Sequence, residues 1–500
     1  MKYPNQSRRR FLTTLGATAG VTLAGKSLFN IDKVFATTPY TRLNLAGLTL
    51  SSPTIVSYIA GVTAMQALPL TDQRSWAYQA AIHGTTMSGM MPDWNTCSHS
   101  TFELNFFWAW HRMYLYWFER IVRSLSGDPT FALPYWDWQA NPYLPPMFQN
   151  PPTGSPILHV AARNASINNG TSNVGVLTPG VNNAFAQPIF EYTSVDGADQ
   201  LIQLPHNQVH GMVGGIMGST LTAAQDPVFF VHHANVDRLW DLWLANNSLN
   251  ADPTSDSIWG GTSFGFFDEN ANAVSMTPCD VLRAAQQLNY IYDTEPAQVE
   301  QYCGNTQPCS SSYTVLVDNC IQKPPFYLNQ GGYYGYYQFP ISYQLGQQIY
   351  GYLQNPYNTV YLSHYGITCP TQPGVYWDVY LGLPVGSKPN RESPYYVGSY
   401  AIYGAGIADQ PPDGDDPAEF SVPVNTAILA ALKKLPKGGN IPVSFYTYGP
   451  PRTTAQGPAQ KATVTIQSAQ LTLQTVTPTG RAAGHKDEKK QEKKVIATLT

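Results

Sequence analysis

The segment LPHNQVHG, Leu204–Gly211, sets His206 and His210 four residues apart, and DPVFFVHHANVDRLW soon after it brings His232 and His233 side by side. The chain has ten histidines, and four of them stand in these two segments. On a helix, residues four apart lie one turn above each other on one face, so His206 and His210 can bite a single ion. A fold that uses them must bring a second helix, the one starting at Asp226, face to face with the first. His232 and His233 differ by about 100° around a helix axis, so one reaches the ion and the other supports it or lines the pocket. A second trio lies upstream: His83 in AAIHGTT, His99 in TCSHST and His111 in WAWHRMYLYWFER. Two trios of histidine with no carboxylate at ligand spacing exclude the Glu-x-x-His di-iron pattern. They suit copper or zinc, and copper is preferred at equal geometry. His159, His364 and His485 read as ordinary surface or loop residues.

Charged residues make up 12% of the 500, against about 25% in an average globular chain, and the net charge is −4. That balance gives no electrostatic case for nucleic acid or an anionic membrane, and no later segment approaches the ~20 apolar residues of a membrane span. At the N-terminus, Arg8 and Arg9 precede Phe11, Leu12 and a Gly/Ala/Thr-rich run ending near Ala36. This reads as a twin-arginine export signal over residues 1–36, sending the protein to the periplasm or the outside. Six cysteines fit that compartment: Cys97 alone, then Cys279, Cys303, Cys309, Cys320 and Cys369. Up to two disulfides and one leftover thiol are expected among the last five, with the pairing open.

Residues 37–293 read as helices joined by long loops. HRMYLYWFERIVRSL aligns Tyr114, Trp117, Phe118, Ile121 and Leu125 on one helical face, and Phe229, His233, Val236 and Trp240 share another. Asp226-Pro227 supplies an N-cap acceptor and a first-turn proline. The Gly/Asn/Ser/Pro region at about Asn141–Asp199 reads as loop. Residues 294–357, rich in Cys, Tyr, Gly and Gln, read as a linker or insertion without helical period. Over 358–478, strand-like runs alternate with turns at the spacing of an antiparallel β-sandwich. Residues 479–500, with HKDEKKQEKK, read as a charged, solvated tail.

The histidine segments resemble the copper A and copper B regions of the tyrosinase, catechol oxidase and haemocyanin family, with bacterial members that carry a C-terminal lid-like domain as the nearest kind. LPYWDW (Leu133–Trp138), DPVFFVHHANVDRLW, the YIY at Tyr290–Tyr292 and Arg42 match further family features over about Tyr40–Asp293. The resemblance implies a mainly α catalytic domain, a helix bundle holding a dicopper centre, followed by the β-sandwich as a cap. It implies His83, His99 and His111 on one copper and His206, His210 and His233 on the other, with His232 beside them. It implies a thioether between Cys97 and His99. Two departures stand out: His99 and His111 are three residues further apart than usual, and Ile202 and Gln203 occupy the place of a common glutamate.

From the same resemblance, two copper ions and dioxygen as co-substrate would oxidise small phenols: o-diphenols to o-quinones, and monophenols after ortho-hydroxylation. Asn207 is placed to hold a water for that hydroxylation, with Gln203 as its partner, and Gly211 leaves the mouth open. Haemocyanin-like dioxygen carriage is the alternative, and a zinc hydrolase a more distant one. A bulky side chain ahead of VYWDVYLGLP is expected to plug the pocket, with Tyr361, Leu362 and Tyr365 as candidates. The oligomeric state is open, a homo-oligomer included.

Overall fold

The computed structural model describes residues 38–83, 100–101, 104–190, 197–254, 256–294, 309–320, 326–327, 332–355, 358–367, 376–384, 386–401, 418–447 and 463–478. The expected export signal, Cys97, His99, Cys303, Cys369, His485 and the charged tail lie outside them.

The histidine-bearing part is helical. Its main helices are α1 (Pro53–Ala67), α2 (Trp76–Ala81), α3 (Phe107–Ser126), α4 (Thr178–Phe185), α5 (Gln203–Val213) and α6 (Val228–Asn246). In α3 the expected face is buried from Tyr114 to Ile121, Leu125 is half-buried, and the helix stops at Gly127 in the left-handed conformation that glycine adopts cheaply. Helix α1 packs on α3 at Gly61, where a Cβ would stand 2.6 Å from Val122 Cγ1. Only glycine lets the two backbones approach that far. Helix α6 departs from the one-face reading, because it is buried on every side from Val228 to Asp241 and so runs through the interior. Its start is held as expected, the Asp226 carboxylate accepting the Val228 N–H at 2.9 Å. The presumed loop at 141–199 carries α4 and a short turn of helix at Ala165–Asn168.

A parallel pair closes this region: β1 (Tyr40–Arg42) against β2 (Tyr290–Tyr292). The buried Arg42 donates to Glu119 at 2.8 Å and Asp237 at 3.0 Å and lies 3.6 Å over the Tyr290 ring. Asp237 also accepts from the hydroxyls of Tyr290 and Tyr292, each at 2.6 Å. Burial alone would raise the Asp237 carboxyl, but Arg112 and Arg42 outweigh it and hold it below its ordinary value. Arg42→Met would take one of its cations from each of two buried carboxylates, leaving Glu119 with Arg123 and Asp237 with Arg112, so a loss of about 3 kcal/mol is expected, read as a lower urea midpoint. An unchanged midpoint would show that the network adds nothing to stability.

The C-terminal part holds β3 (Cys309–Cys320), β4 (Gly332–Ile341), α7 (Tyr343–Tyr352), β5 (Asn358–Ile367), β6 (Tyr376–Leu381), β7 (Tyr396–Ala401), β8 (Ala418–Pro423), α8 (Asn425–Lys434), β9 (Gly439–Thr447) and β10 (Ser468–Pro478). They form two antiparallel four-stranded sheets, in the orders β8-β5-β10-β3 and β7-β6-β9-β4. The reading of 294–357 as a linker is corrected here: β3 and β4 are strands at the edges of these sheets, and α7 follows them. The Tyr/Gly/Gln composition of β4 hides the alternation because tyrosine serves both faces of a strand, and in β3 the small polar residues at both ends of CSSSYTVLVDNC do the same. His364 is corrected too. It is buried in β5, its Nε2 2.6 Å from the Tyr337 hydroxyl on β4 and its Nδ1 3.1 Å from the Tyr400 hydroxyl on β7, so it joins the two sheets. His159 is a half-buried loop residue, as expected. Cys279 is disulfide-bonded. No helix among the described residues is long and apolar enough to cross a membrane.

Candidate metal centre

Three imidazoles from α5 and α6 converge. His206 Nε2 lies 3.0 Å from His210 Nε2 and 3.1 Å from His233 Nε2, and His210 and His233 are 3.4 Å apart at the same atoms. The opposite ring nitrogens of the α5 pair are anchored: His210 Nδ1 to the Met217 carbonyl at 2.8 Å, His206 Nδ1 to Asn207 Oδ1 at 2.9 Å. Those acceptors call for N–H at Nδ1, which leaves the Nε2 lone pairs aimed at one another. Lone pairs at such distances repel unless a cation stands among them, and a neutral imidazole set is what copper or zinc takes. The residues present therefore fit a metal ion.

His232 is built differently. The Trp138 indole N–H donates to its Nδ1 at 3.0 Å. An indole nitrogen can only donate, so the neutral His232 carries its proton on Nε2 and offers no lone pair there. Its ring stacks on His206 at 5.0 Å, although its position groups it with His206, His210 and His233. Of the adjacent pair, His233 turns its Nε2 into the converging set and His232 supports.

His83 and His111 face His233 from the other side, the three offering ligand atoms within 4.8 Å of one another. His83 Nδ1 meets the Thr220 carbonyl at 3.0 Å and His111 Nδ1 the Phe107 carbonyl at 2.7 Å, which again turns Nε2 inward. Phe229 packs edge-on to His83 at 4.6 Å and lies 4.2 Å from His233, while Phe107 packs on His111 at 4.7 Å and on His206 at 4.8 Å. These rings fix the imidazole planes and keep water out. Burial lowers all six histidines of the cluster, His83, His111, His206, His210, His232 and His233, below their ordinary value, His83 to about 4, so the cluster is neutral near pH 7. His99, the expected third member of the upstream set, lies outside the described residues, as does Cys97, its expected thioether partner.

The scaffold behind the cluster escaped the sequence reading. The buried Arg163 holds both oxygens of Asp226, at 2.7 and 2.6 Å, and so fixes the start of α6. A lone arginine in a loop carries no signal of that role, whereas Trp138 stands in the LPYWDW motif and could have been suspected. Gln203 does not partner Asn207: its amide donates to the Asp199 carbonyl and to Gln200 Oε1. Gly211 is buried in α5. Of the candidate plugs, Tyr361 has its hydroxyl engaged by Gln187 and Gln474, Leu362 is buried in β5, and Tyr365 is half-buried at that strand's end. The strand that lies against α5 is β7, with β6 beside it.

The chain matches the common central domain of tyrosinase over residues 73–193 and 163–246, and the polyphenol oxidase middle domain over 254–301. It is 33% identical over 294 residues to a tyrosinase of Hahella sp. (strain CCB-MM4), covering 49% of this chain and 61% of that one. It is 31% identical over 268 residues to a latent-form chloroplastic polyphenol oxidase of Prunus armeniaca, covering 46% and 45%. The chain thus spans less than two thirds of the length of these relatives, one bacterial and one from a plant. Its fold is that of a latent aurone synthase (polyphenol oxidase), with TM-score 0.59 at 21% identity over 89% of this chain and 90% of that one. The latent apple tyrosinase agrees, with TM-score 0.59 at 21% identity over 87% and 97%. Histidine geometry and family models together identify in this chain the common central domain of tyrosinase and the middle domain of polyphenol oxidase.

Proposed function

We propose that the chain is a copper-dependent phenol oxidase that converts o-diphenols to o-quinones with dioxygen. The observation that carries this reading is the inward convergence of neutral Nε2 lone pairs from His206, His210 and His233 beside His83 and His111. In this reading His206, His210 and His233 hold one copper, and His83, His111 and His99 the other. Copper so held supplies electron exchange with dioxygen, two o-diphenols giving two o-quinones as one dioxygen gives two waters. The chain's own contribution is orientation and exclusion of water. Carbonyls of Phe107, Met217 and Thr220 set the tautomers, Phe107 and Phe229 wall the site, and Trp138 holds His232 beside His206. Gly211 leaves no side chain on that part of α5. The two C-terminal sheets, joined through His364, are read as a sandwich capping the site, and residues 1–36 as an export signal. Appearance of quinone absorbance when the copper-loaded chain meets catechol tests the activity. Dioxygen uptake without quinone would instead make the chain a carrier.

Asn207 accepts from His206, so its loss should disturb a metal ligand rather than a water alone. Asn207→Ala is expected to lower catechol and monophenol rates together, by about 10–100-fold as for other partners of a ligating histidine. A loss confined to monophenols would restore the water-holding role.

A further inference from the structure

Asp199 is fully buried, and among the described residues no cation stands beside it. A carboxyl so placed is costly unless the structure uses it. It belongs to the short helical turn Ala198–Leu201 that leads into α5, and its Oδ1 accepts the Trp108 N–H at 2.9 Å, in the first turn of α3. Phe106, at the cap position of α3, has no side-chain acceptor to offer, so the cap comes from 91 residues away. The Trp108 N–H and the Phe107 C=O are the two ends of one peptide unit. That same carbonyl accepts from His111 Nδ1 at 2.7 Å. Carboxyl, peptide and imidazole are thus linked in series, and the last turns its Nε2 to the centre. Negative charge at the N–H end of a peptide makes its oxygen a stronger acceptor, because linked hydrogen bonds strengthen one another. A stronger acceptor at Nδ1 in turn makes an imidazole a better ligand at Nε2. The Trp108 indole donates to the Val236 carbonyl of α6 at 3.0 Å, which keeps this peptide in place.

We propose that Asp199 is a positioning residue for the metal centre, acting through the Phe107–Trp108 peptide to hold the His111 ring and strengthen its Nε2 as a ligand; this rests on the reading of His111 as a metal ligand. The same carboxyl ties the approach to α5, which carries His206 and His210, to the start of α3, which carries His111. Burial pushes the Asp199 carboxyl up to about 8, while the Trp108 and Phe107 amides draw it down and Asp252 pushes it further up. The metal-free chain near pH 6 therefore holds a neutral acid there, whose shape asparagine copies.

The test measures copper affinity of the full chain against a competing chelator, in the parent, Asp199→Asn and Asp199→Ala. Asparagine keeps an oxygen for the Trp108 N–H but never carries charge; alanine removes the acceptor as well. Above about pH 8, where the parent carboxyl is ionised, Asp199→Asn should hold one of its two coppers about tenfold or more weakly. The gap should narrow towards about pH 6, where the metal-free Asp199→Asn chain should melt close to the parent. Asp252, pushed up to about 7, titrates in all three chains and does not open that gap. Asp199→Ala should combine the weaker copper with a lower melting temperature. Equal copper affinity of the parent and Asp199→Asn at each pH would overturn the inference. A loss that is the same at every pH, or that only follows the melting temperature, would do so too, because Asp199 would then be a helix cap alone. A parent chain that takes up no copper would instead overturn the reading of His111 as a ligand, and the role of Asp199 with it.

Discussion

His233→Ala is expected to retain one copper instead of two and to oxidise catechol at less than about 1% of the parent rate, whereas His232→Phe keeps both coppers. The difference rests on tautomers. His233 turns its Nε2 to those of His206 and His210 and, among the described residues, has no donor on either ring nitrogen to bar a lone pair there, while the Trp138 indole claims the lone pair of His232 Nδ1 and leaves a proton on its Nε2. Removing one of three nitrogen ligands opens the coordination of a metal that depends on all three. Phenylalanine at 232 preserves the stacking volume against His206 but leaves the indole N–H without its acceptor, a loss of about 1–3 kcal/mol in stability. Its melting temperature should fall while its metal content does not. Elemental analysis decides: two coppers in the His233→Ala chain and one in the His232→Phe chain would exchange the two roles.

The spacing of His206 and His210, and the pair at 232 and 233, displayed the centre in the sequence because one helical turn is a local property. Choosing between His232 and His233 was a question of angle on the helix; what settles the tautomer is an indole 94 residues away. The carbonyls of Phe107, Met217 and Thr220 were invisible for another reason, since a backbone oxygen is the same in every residue. Helix α3 was legible from its aromatic period, and the later strands from their alternation. The strand β4 was not, because tyrosine, glycine and glutamine mark neither an inner nor an outer face, nor was β3, where small polar residues occupy both ends of CSSSYTVLVDNC. His364, between Ser363 and Tyr365, looked exposed; its partners Tyr337 and Tyr400 lie 27 and 36 residues away, and only sheet packing brings them to it.

Detaching the C-terminal sheets should raise catechol oxidation severalfold. The six histidines of the cluster are at most 1% exposed, and β7 lies against α5, the helix carrying His206 and His210. On the proposed capped reading, a phenol reaches such a cluster once that strand moves. Among the described residues the polar ties that hold the sheets down include Asn183 to the Val397 carbonyl at 3.4 Å, Arg391 to the Val176 carbonyl at 3.4 Å, Gln187 to Gln474 at 3.0 Å, and Gln187 to Tyr361. Tyr361→Phe removes the last of these. It should cost the closed arrangement about 1 kcal/mol and raise activity of the intact chain about fivefold, if activity follows the open fraction. Acid should act in the same direction. Burial lowers His364 to about 3, well below its ordinary value near 6.5. Below about pH 6.5 the unfolded chain therefore takes up a proton that the folded sheets refuse. The stability contributed by neutral His364 is whole above that pH and declines as the pH falls towards about 3, so brief exposure near pH 4 should loosen the sheets. His364→Gln, which retains hydrogen bonding to tyrosine but does not titrate there, should blunt the acid response. A protease cut within residues 295–308 followed by mild acid should give the largest rise in quinone formation. An intact, untreated chain that already matches the cleaved one, with Tyr361→Phe and acid both without effect, would rule out the cap.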